Sequence, residues 1–355
     1  MELDITKTDI MNVASTRTDY SVPAQNLDSP SGTNETEWGN KHFSKWLGYM
    51  KAIPEVSKPI GNYATWVVGK GIITDARTEA ILNRITGWGE DNFLAIMWNM
   101  LVVKKFNGDS YAQIIRDPDT RTLINLKPLN AGRMKTITNP AGIIIRYDYT
   151  LTNGKVKKFQ PNEILHLCNN RIGDEIHGTS VIEAAEWLIL ARNEAMEDWK
   201  RISHRSTIRI LYVDEDNPAR RVELRKDYAE AIEKGEVLIL PGKPSDAGFQ
   251  DLNLPPVEAF LAWIRYIENA IYKAVEFPKS LTGDAEGIPE SGGKMAYFNH
   301  MPNYNREVTD LQNDLWNQLA IRVEFKEQAS LTDSISDTEN KNNAQTGFQP
   351  SDTQI

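Results

Sequence analysis

Apolar positions change their period several times along the chain, and those changes predict the elements. Ile81, Leu82, Ile85, Phe93, Leu94, Met97 and Met100 make Ile73 to Lys104 mostly helical, with a break at Gly87-Trp88-Gly89, and Trp38 to Lys51 reads as helix too. From Asp109 the period shortens. Residues 110–116, 122–129, 143–150, 155–159 and 164–167 are strand-like runs, separated by Asp117-Pro118-Asp119, Asn139-Pro140-Ala141-Gly142 and Asn153-Gly154, the last a two-residue hairpin signal. This predicts a mainly antiparallel region.

Two long amphipathic helices follow. Ser180, three residues before Glu183, predicts a capping box, and Val181, Ala185, Leu188, Ile189, Ala195, Met196, Trp199 and Ile202 carry the stripe to about Arg205. At about 1.5 Å per residue this is a rod of roughly 35–40 Å. After Pro255-Pro256, the stripe Val257, Phe260, Leu261, Ile264, Ile267, Ile271, Ala274 and Val275 predicts a second rod, which Pro278 stops. Between them, Thr207 to Leu254 reads as a small α/β insert: a strand at 208–213, a charged helix from Pro218 to Lys234, and a strand from Glu236 that turns at Gly242-Lys243. Ser280 to Asn305, with Gly283, Gly287, Gly292 and Gly293, predicts a polar loop. A last helix is expected over Arg306 to Lys326. Residues 6–34 and 328–355 hold too little apolar content to offset ordering entropy and read as disordered tails, and no internal repeat is visible.

The chain has 355 residues, 40% apolar and 25% charged, enough for a substantial core. No stretch approaches the roughly 18 apolar residues of a spanning helix, and the N-terminus lacks a basic cluster followed by an apolar run, so a soluble, unexported chain without membrane partners is expected. The net charge of −9 sits at the ends: residues 1–37 hold seven acids and two bases, 327–355 five acids and one base, and the body between them 37 of each. A diffuse basic field that grips nucleic acid by counter-ion release is therefore absent.

Candidate chemistry is thin. Gly292-Gly293-Lys294 lacks the first glycine and the hydroxyl of a phosphate loop, since position 288 is Ile and Met295 follows the lysine; Gly69-Lys70-Gly71 reads as a turn. Cys168 is the single cysteine, which excludes an internal disulfide. His166, Cys168 and His177 form the closest cluster of soft ligands, but a structural zinc site wants four and nothing nearby in sequence supplies the rest. No nucleophile elbow is present, and Glu194, Glu197 and Asp198 sit in a solvated helical pattern. No catalytic residue, metal or cofactor is expected. Arg220, Arg221, Arg225 and Lys226 are interleaved with Glu223, Asp227 and Glu230, a salt-bridged face rather than a nucleic-acid grip. Trp187, Trp199, Trp263, Tyr266 and Tyr272 spread around the two rods beyond the main stripes, which favours burial against further copies of the chain; contact with other helices of the same subunit is the alternative.

Four segments resemble the portal proteins of tailed bacteriophages and related viruses: Leu126-Lys127-Pro128-Leu129-Asn130; Phe159-Gln160-Pro161-Asn162-Glu163-Ile164-Leu165-His166-Leu167; Gly178-Thr179-Ser180-Val181-Ile182-Glu183-Ala184-Ala185; and Val275-Glu276-Phe277-Pro278-Lys279-Ser280-Leu281-Thr282-Gly283. With the rods and the insert, the resemblance spans about Lys41 to Lys326. It implies an α+β portal-like fold with these parts: a disordered tail (1–37), a wing of helices and antiparallel strands (38–177), a first stem helix (178–206), a clip (207–255), a second stem helix (256–278), a tunnel-loop region (279–305) that includes the start of the long helix behind the loop, a C-terminal wing helix (306–326) and a second disordered tail (327–355).

The resemblance further implies a ring, typically of twelve subunits, at one capsid vertex of a virion assembled in the host cytoplasm. Double-stranded DNA would pass weakly and non-specifically through its channel. A terminase large subunit, head-tail connector proteins and a major capsid or scaffold protein would be the partners. Channel-facing candidates are Lys279, Gly283, Gly292, Gly293 and Lys294; motor-docking candidates are Arg220, Arg221, Arg225, Lys226 and Lys243; inter-subunit stem candidates are the five aromatics above. Departures are Val181 where the family commonly has Pro, His204-Arg205-Ser206 where many have an Asn-Gly pair, and a segment after Lys326 too short and polar for a helical crown. The alternatives are a nucleic-acid-processing enzyme or a monomeric adaptor of the same virus.

Overall fold

A computed structural model describes residues 35–173, 175–204, 209–211, 217–220, 222–223, 226, 249–251, 257–282 and 290–327. The chain packs as two units, Met1–Glu186 with Ile271–Ile355, and Trp187–Ala270.

The first unit is organised around helix α4 (Phe93–Asn107), whose run of apolar residues is buried almost all round, as the core helix of a domain should be. Asn92 caps it by accepting from the Ala95 N–H at 2.8 Å, and Gly108 at φ 92° ends it. Two helices lie in its neighbourhood, α1 (Phe43–Ala52) and α2 (Pro54–Val68). α2 starts on Pro54, whose missing N–H costs nothing in a first turn, and buries Val56, Ile60, Tyr63, Ala64 and Val67. A short helix, α3 (Ala76–Leu82), is capped by Asp75.

Strand β3 (Asp109–Arg116) leaves α4 directly and is the centre of a three-stranded antiparallel sheet between β4 (Leu123–Leu129) and β8 (Ile164–Cys168). A second antiparallel sheet has the order β1 (Thr36–Gly39), β5 (Met134–Thr138), β6 (Ile144–Thr150), β7 (Val156–Phe159). The expected antiparallel region is therefore present, with two corrections. Thr36–Gly39 is an edge strand where a tail and then a helix were expected, fastened by ion pairs of Glu37 with Lys135 and of Glu35 with Arg146. The β6–β7 hairpin forms at Asn153-Gly154 but with a longer loop: the Leu151 N–H donates to the Lys155 carbonyl at 2.8 Å, and Gly154 takes φ 78° after the turn.

Each sequence segment singled out above makes a local joint. Pro128, which has no N–H to give, sits on edge strand β4, and Asn130 caps a 3-10 turn by accepting from Gly132 N–H. Gln160 and Glu163 form a capping box that turns the chain into β8. Ser180 opens α5 (Val181–His204) by accepting from the Ile182 N–H at 3.0 Å rather than from that of Glu183, while its hydroxyl donates to Phe106 O at 2.6 Å. Phe277 is buried, and Pro278 leads into a 3-10 turn at Lys279–Leu281.

Helix α6 (Val257–Ala274) matches the expected second rod. Helix α7 runs Glu290–Leu319, so residues 290–305 are helical where the residue pattern predicted a loop and the family resemblance the start of a long helix. The cause is its buried stripe, Tyr297, His300, Tyr304, Glu307, Leu311, Leu315 and Leu319, which continues upstream of Arg306 at three- and four-residue spacing. The helix also stops seven residues early, at Leu319. Ala320 turns into the left-handed region at φ 58°, and β11 (Glu324–Phe325) pairs with β2 (Ile72–Ile73). Gln318 of α7 clasps the open edge of β8, its side-chain amide accepting from His166 N–H and donating to His166 O, both at 2.8 Å.

In the second unit, the described parts are the remainder of α5, the start of α6, helical residues at 218–220, 222–223 and 226, and an antiparallel pair of β9 (Arg209–Leu211) with β10 (Phe249–Asp251). The expected strand at 236–243, both tails except Glu35 to Glu37 and Glu327, and most of the 207–255 insert lie outside the described residues. Among the described residues, no helix is long and apolar enough to cross a membrane.

Candidate functional site

Two kinds of feature stand out: solvent-facing aromatic residues on the long helices, and polar groups buried at the junction of α4, β3, β8 and α7. On α5 the Trp187 side chain is 60% exposed, with Leu190 and Met196 also facing solvent; on α6, Tyr266 is 58% exposed beside Trp263 and Leu261. Trp263 and Tyr266 stack with ring centroids 5.6 Å apart, and Trp199 stacks on Phe260 at 4.5 Å with planes 10° apart. The Trp263–Tyr266 pair is exposed, whereas Trp199 and Phe260 are half-buried. Tyr272 departs from this set, because it is buried within the chain itself.

The other candidates are placed as follows. Lys279 lies in the 3-10 turn after Pro278 and is half-buried; Gly292, Gly293 and Lys294 lie in the first turns of α7 and are half-buried. Arg220 and Lys226 are exposed. Gly283, Arg221, Arg225 and Lys243 lie outside the described residues.

The buried polar groups were not legible as a group in the sequence. Lys104 and Lys105, each 3% exposed at the end of α4, share the carboxylate of Glu307 on α7, Lys104 at 2.5 Å and Lys105 at 3.1 Å. Burial by itself would raise the Glu307 carboxyl, but the two lysine charges and their hydrogen bonds outweigh it and hold the group at about 2. Tyr63 donates to the same carboxylate at 3.4 Å and lies under the Lys105 ammonium. These residues line a cavity of about 360 Å³ that also reaches Cys168 and Arg171.

Beyond the cavity, Asp109 is fully buried at the start of β3 and collects four donors. His166 Nε2 and Cys168 Sγ approach its Oδ1 at 2.9 Å each, Gly178 N–H at 3.1 Å, and His177 Nδ1 approaches Oδ2 at 2.6 Å. Burial would raise its carboxyl, yet the hydrogen bonds and charges of the two histidines hold it well below the usual range. This is not a nucleophile relay. A thiol–imidazole–carboxylate relay needs the acid on the ring nitrogen opposite the thiol, whereas here Asp109 and Cys168 both face Nε2 and Nδ1 faces the Tyr147 hydroxyl at 3.1 Å. Burial and then the Asp109 charge push the Cys168 thiol far up, which disfavours the thiolate.

No family model matches the chain, and no curated protein matches it. Solved structures do. A chain in the virion of the native gene transfer agent (GTA) particle is 17% identical with a TM-score of 0.62, over 88% of this chain and 92% of that one. A chain in the neck of the native GTA particle, computed with C12 symmetry, has the same identity and TM-score over 92% and 94%. An HK97 family phage portal protein from Corynebacterium diphtheriae is 12% identical with a TM-score of 0.54, over 82% of this chain and 96% of that one. The likeness covers most of the chain rather than one motif. The chain has the fold of the phage portal proteins.

Proposed function

We propose that this chain is the subunit of a portal ring in a virion or virus-like particle, a structural protein rather than an enzyme. One observation carries the reading: the fold likeness to a particle-neck chain covers 92% of this chain and 94% of that one. The C12 symmetry of that neck supports a closed ring of about twelve copies here. In this reading α5 and α6 are the stem, and Trp187, Leu190, Trp263 and Tyr266 supply the apolar contacts between neighbours. The insert between the two helices is the clip, where Arg220 and Lys226 meet a terminase motor during packaging and connector proteins afterwards. Lys279 and Lys294 are weak contacts near the constriction.

The charge distribution suits a channel. Double-stranded DNA that must slide in both directions is slowed by every strong phosphate contact, and a body with 37 acids and 37 bases offers no sustained basic stripe to hold it. The buried Asp109 cluster, with its carboxylate and thiol on the same imidazole nitrogen, lacks the order of a hydrolytic relay, which supports a non-catalytic role.

Negative-stain imaging of purified full-length protein tests the reading. Annular particles with an axial hole are expected. Uniform small particles at every concentration would leave a monomeric adaptor as the better account, and metal-dependent nuclease activity in the same preparation would favour a processing enzyme.

A further inference from the structure

We propose that Asp109, His166 and Cys168 form a binding site for a borderline-soft divalent cation of the zinc class, stapling β3 to β8 at the entry to α5. The proposal is independent of ring formation. Strand pairing creates the site: Asp109 stands directly opposite Cys168 in the β3–β8 ladder, and His166 is two residues before Cys168 and so shares its face. The three donor atoms converge, with Sγ to Oδ1 at 2.9 Å, Nε2 to Oδ1 at 2.9 Å and Sγ to Nε2 at 3.2 Å. They form a group of potential ligands whose atoms all lie within 4.8 Å of one another. Tetrahedral zinc with bonds of about 2.0–2.3 Å separates its ligands by roughly 3.3–3.7 Å, so the donors need to part by only about half an ångström to admit the ion.

The surroundings are those of a held ligand set. The ring nitrogen of His166 that would not ligate, Nδ1, meets the Tyr147 hydroxyl at 3.1 Å, and Tyr111 stacks on the same ring at 4.5 Å. Asp109 Oδ2 is fixed by His177 Nδ1, and Oδ1 by the Gly178 N–H. Arg171 donates to Cys168 Sγ at 2.8 Å and to Ile176 O at 2.9 Å; its charge only partly offsets the burial and the Asp109 charge that disfavour a thiolate, so the thiolate depends on the cation itself. A carboxylate, an imidazole and a thiolate together suit zinc rather than the all-oxygen preference of calcium or magnesium. Of the three ligands, Cys168 also lines the cavity of about 360 Å³. On binding, the cation displaces two protons: that of the Cys168 thiol, which leaves to solvent, and that on His166 Nε2, which passes to Nδ1 with the Tyr147 hydroxyl accepting, so that carboxylate, neutral imidazole and thiolate face the ion.

The test uses full-length protein without a histidine tag, stripped with a chelator and titrated with Co²⁺ alone. Wild type is expected to bind one ion per chain with a thiolate-to-cobalt charge-transfer absorption, and added Zn²⁺ to abolish it. Cys168→Ser should lose that absorption, and Tyr147→Phe should keep it with about tenfold weaker affinity. Circular dichroism checks that both variants are folded. Wild type without the charge-transfer absorption, or a folded Cys168→Ser that binds as tightly as wild type, overturns the proposal; the wild-type arm depends on no variant.

Discussion

Replacing Glu307 with Gln takes one negative charge from between two buried lysines while keeping the shape of the side chain. Glu307 Oε1 lies 2.5 Å from Lys104 and Oε2 3.1 Å from Lys105, and the lysine side chains are 4% and 3% exposed. The next carboxylate, Glu276, is 4.0 Å from Lys105 and partly solvated, so it compensates little. Removing one partner of a buried ion pair costs about 3–5 kcal/mol, because the remaining charge stays buried without its counter-ion. A carboxyl held at about 2 instead of 4.5 gives a consistent figure, about 3 kcal/mol at about 1.4 kcal/mol per pH unit.

The sign follows from the direction of that displacement. The folded-state value is depressed, so the stabilisation is full above about 4.5 and is lost as pH falls through about 2. The deficit of Glu307→Gln should therefore be about 3 kcal/mol at neutral pH and shrink progressively below pH 4.5. Urea unfolding at fixed protein concentration, at neutral pH and at several acid values, measures this. A variant within about 0.5 kcal/mol of wild type at neutral pH would refute the argument, since the pair would then carry no net stabilisation. Replacing Lys104, Lys105 and Glu307 together with Met should recover much of the loss, because no buried charge is then left without its partner.

The remaining predictions concern a close backbone approach, the stem and the clip. Gly108→Ala puts a side chain at φ 92° into the carbonyl of Gly178, so a strongly lowered melting temperature or failure to fold is expected; a wild-type melting curve would contradict it. Trp187→Ser with Tyr266→Ser should leave the subunit's circular dichroism unchanged and reduce ring yield on sizing columns, because exposed aromatics carry contacts between copies; unaltered ring yield would assign them to no interface. Arg220→Glu should weaken binding of the motor protein while rings still form, and unchanged binding would remove Arg220 from the docking surface.

Legibility in the sequence followed the range of the forces involved. The helices α4, α5 and α6 and most of the strands were readable because each carries its own run or stripe of apolar residues, and the stop at Pro278 was readable because its geometry is set by neighbours in sequence; the caps at Asn130 and Gln160 were not read. Strand β1 was missed because Thr36–Gly39 is a strand only by virtue of β5, about a hundred residues later. The upstream half of α7 was missed in the residue pattern, though not by the family resemblance, because Gly292 and Gly293 outweighed Tyr297, His300 and Tyr304, whose spacing continues the downstream stripe and was the available signal. Asp109 could not be grouped with His166 and Cys168 from spacing, since the β3–β8 ladder brings it across 57 and 59 positions. Lys104 and Lys105 looked like an ordinary basic helix end, and their partner lies some two hundred residues away.

The most direct test of the portal reading is the mass of the full-length protein under native conditions, followed over a range of concentrations. The account predicts a closed species near twelve times the 40.2 kDa chain, or a neighbouring ring number, that persists on dilution. A single 40.2 kDa species throughout, or an open ladder of masses with no preferred size, would contradict it.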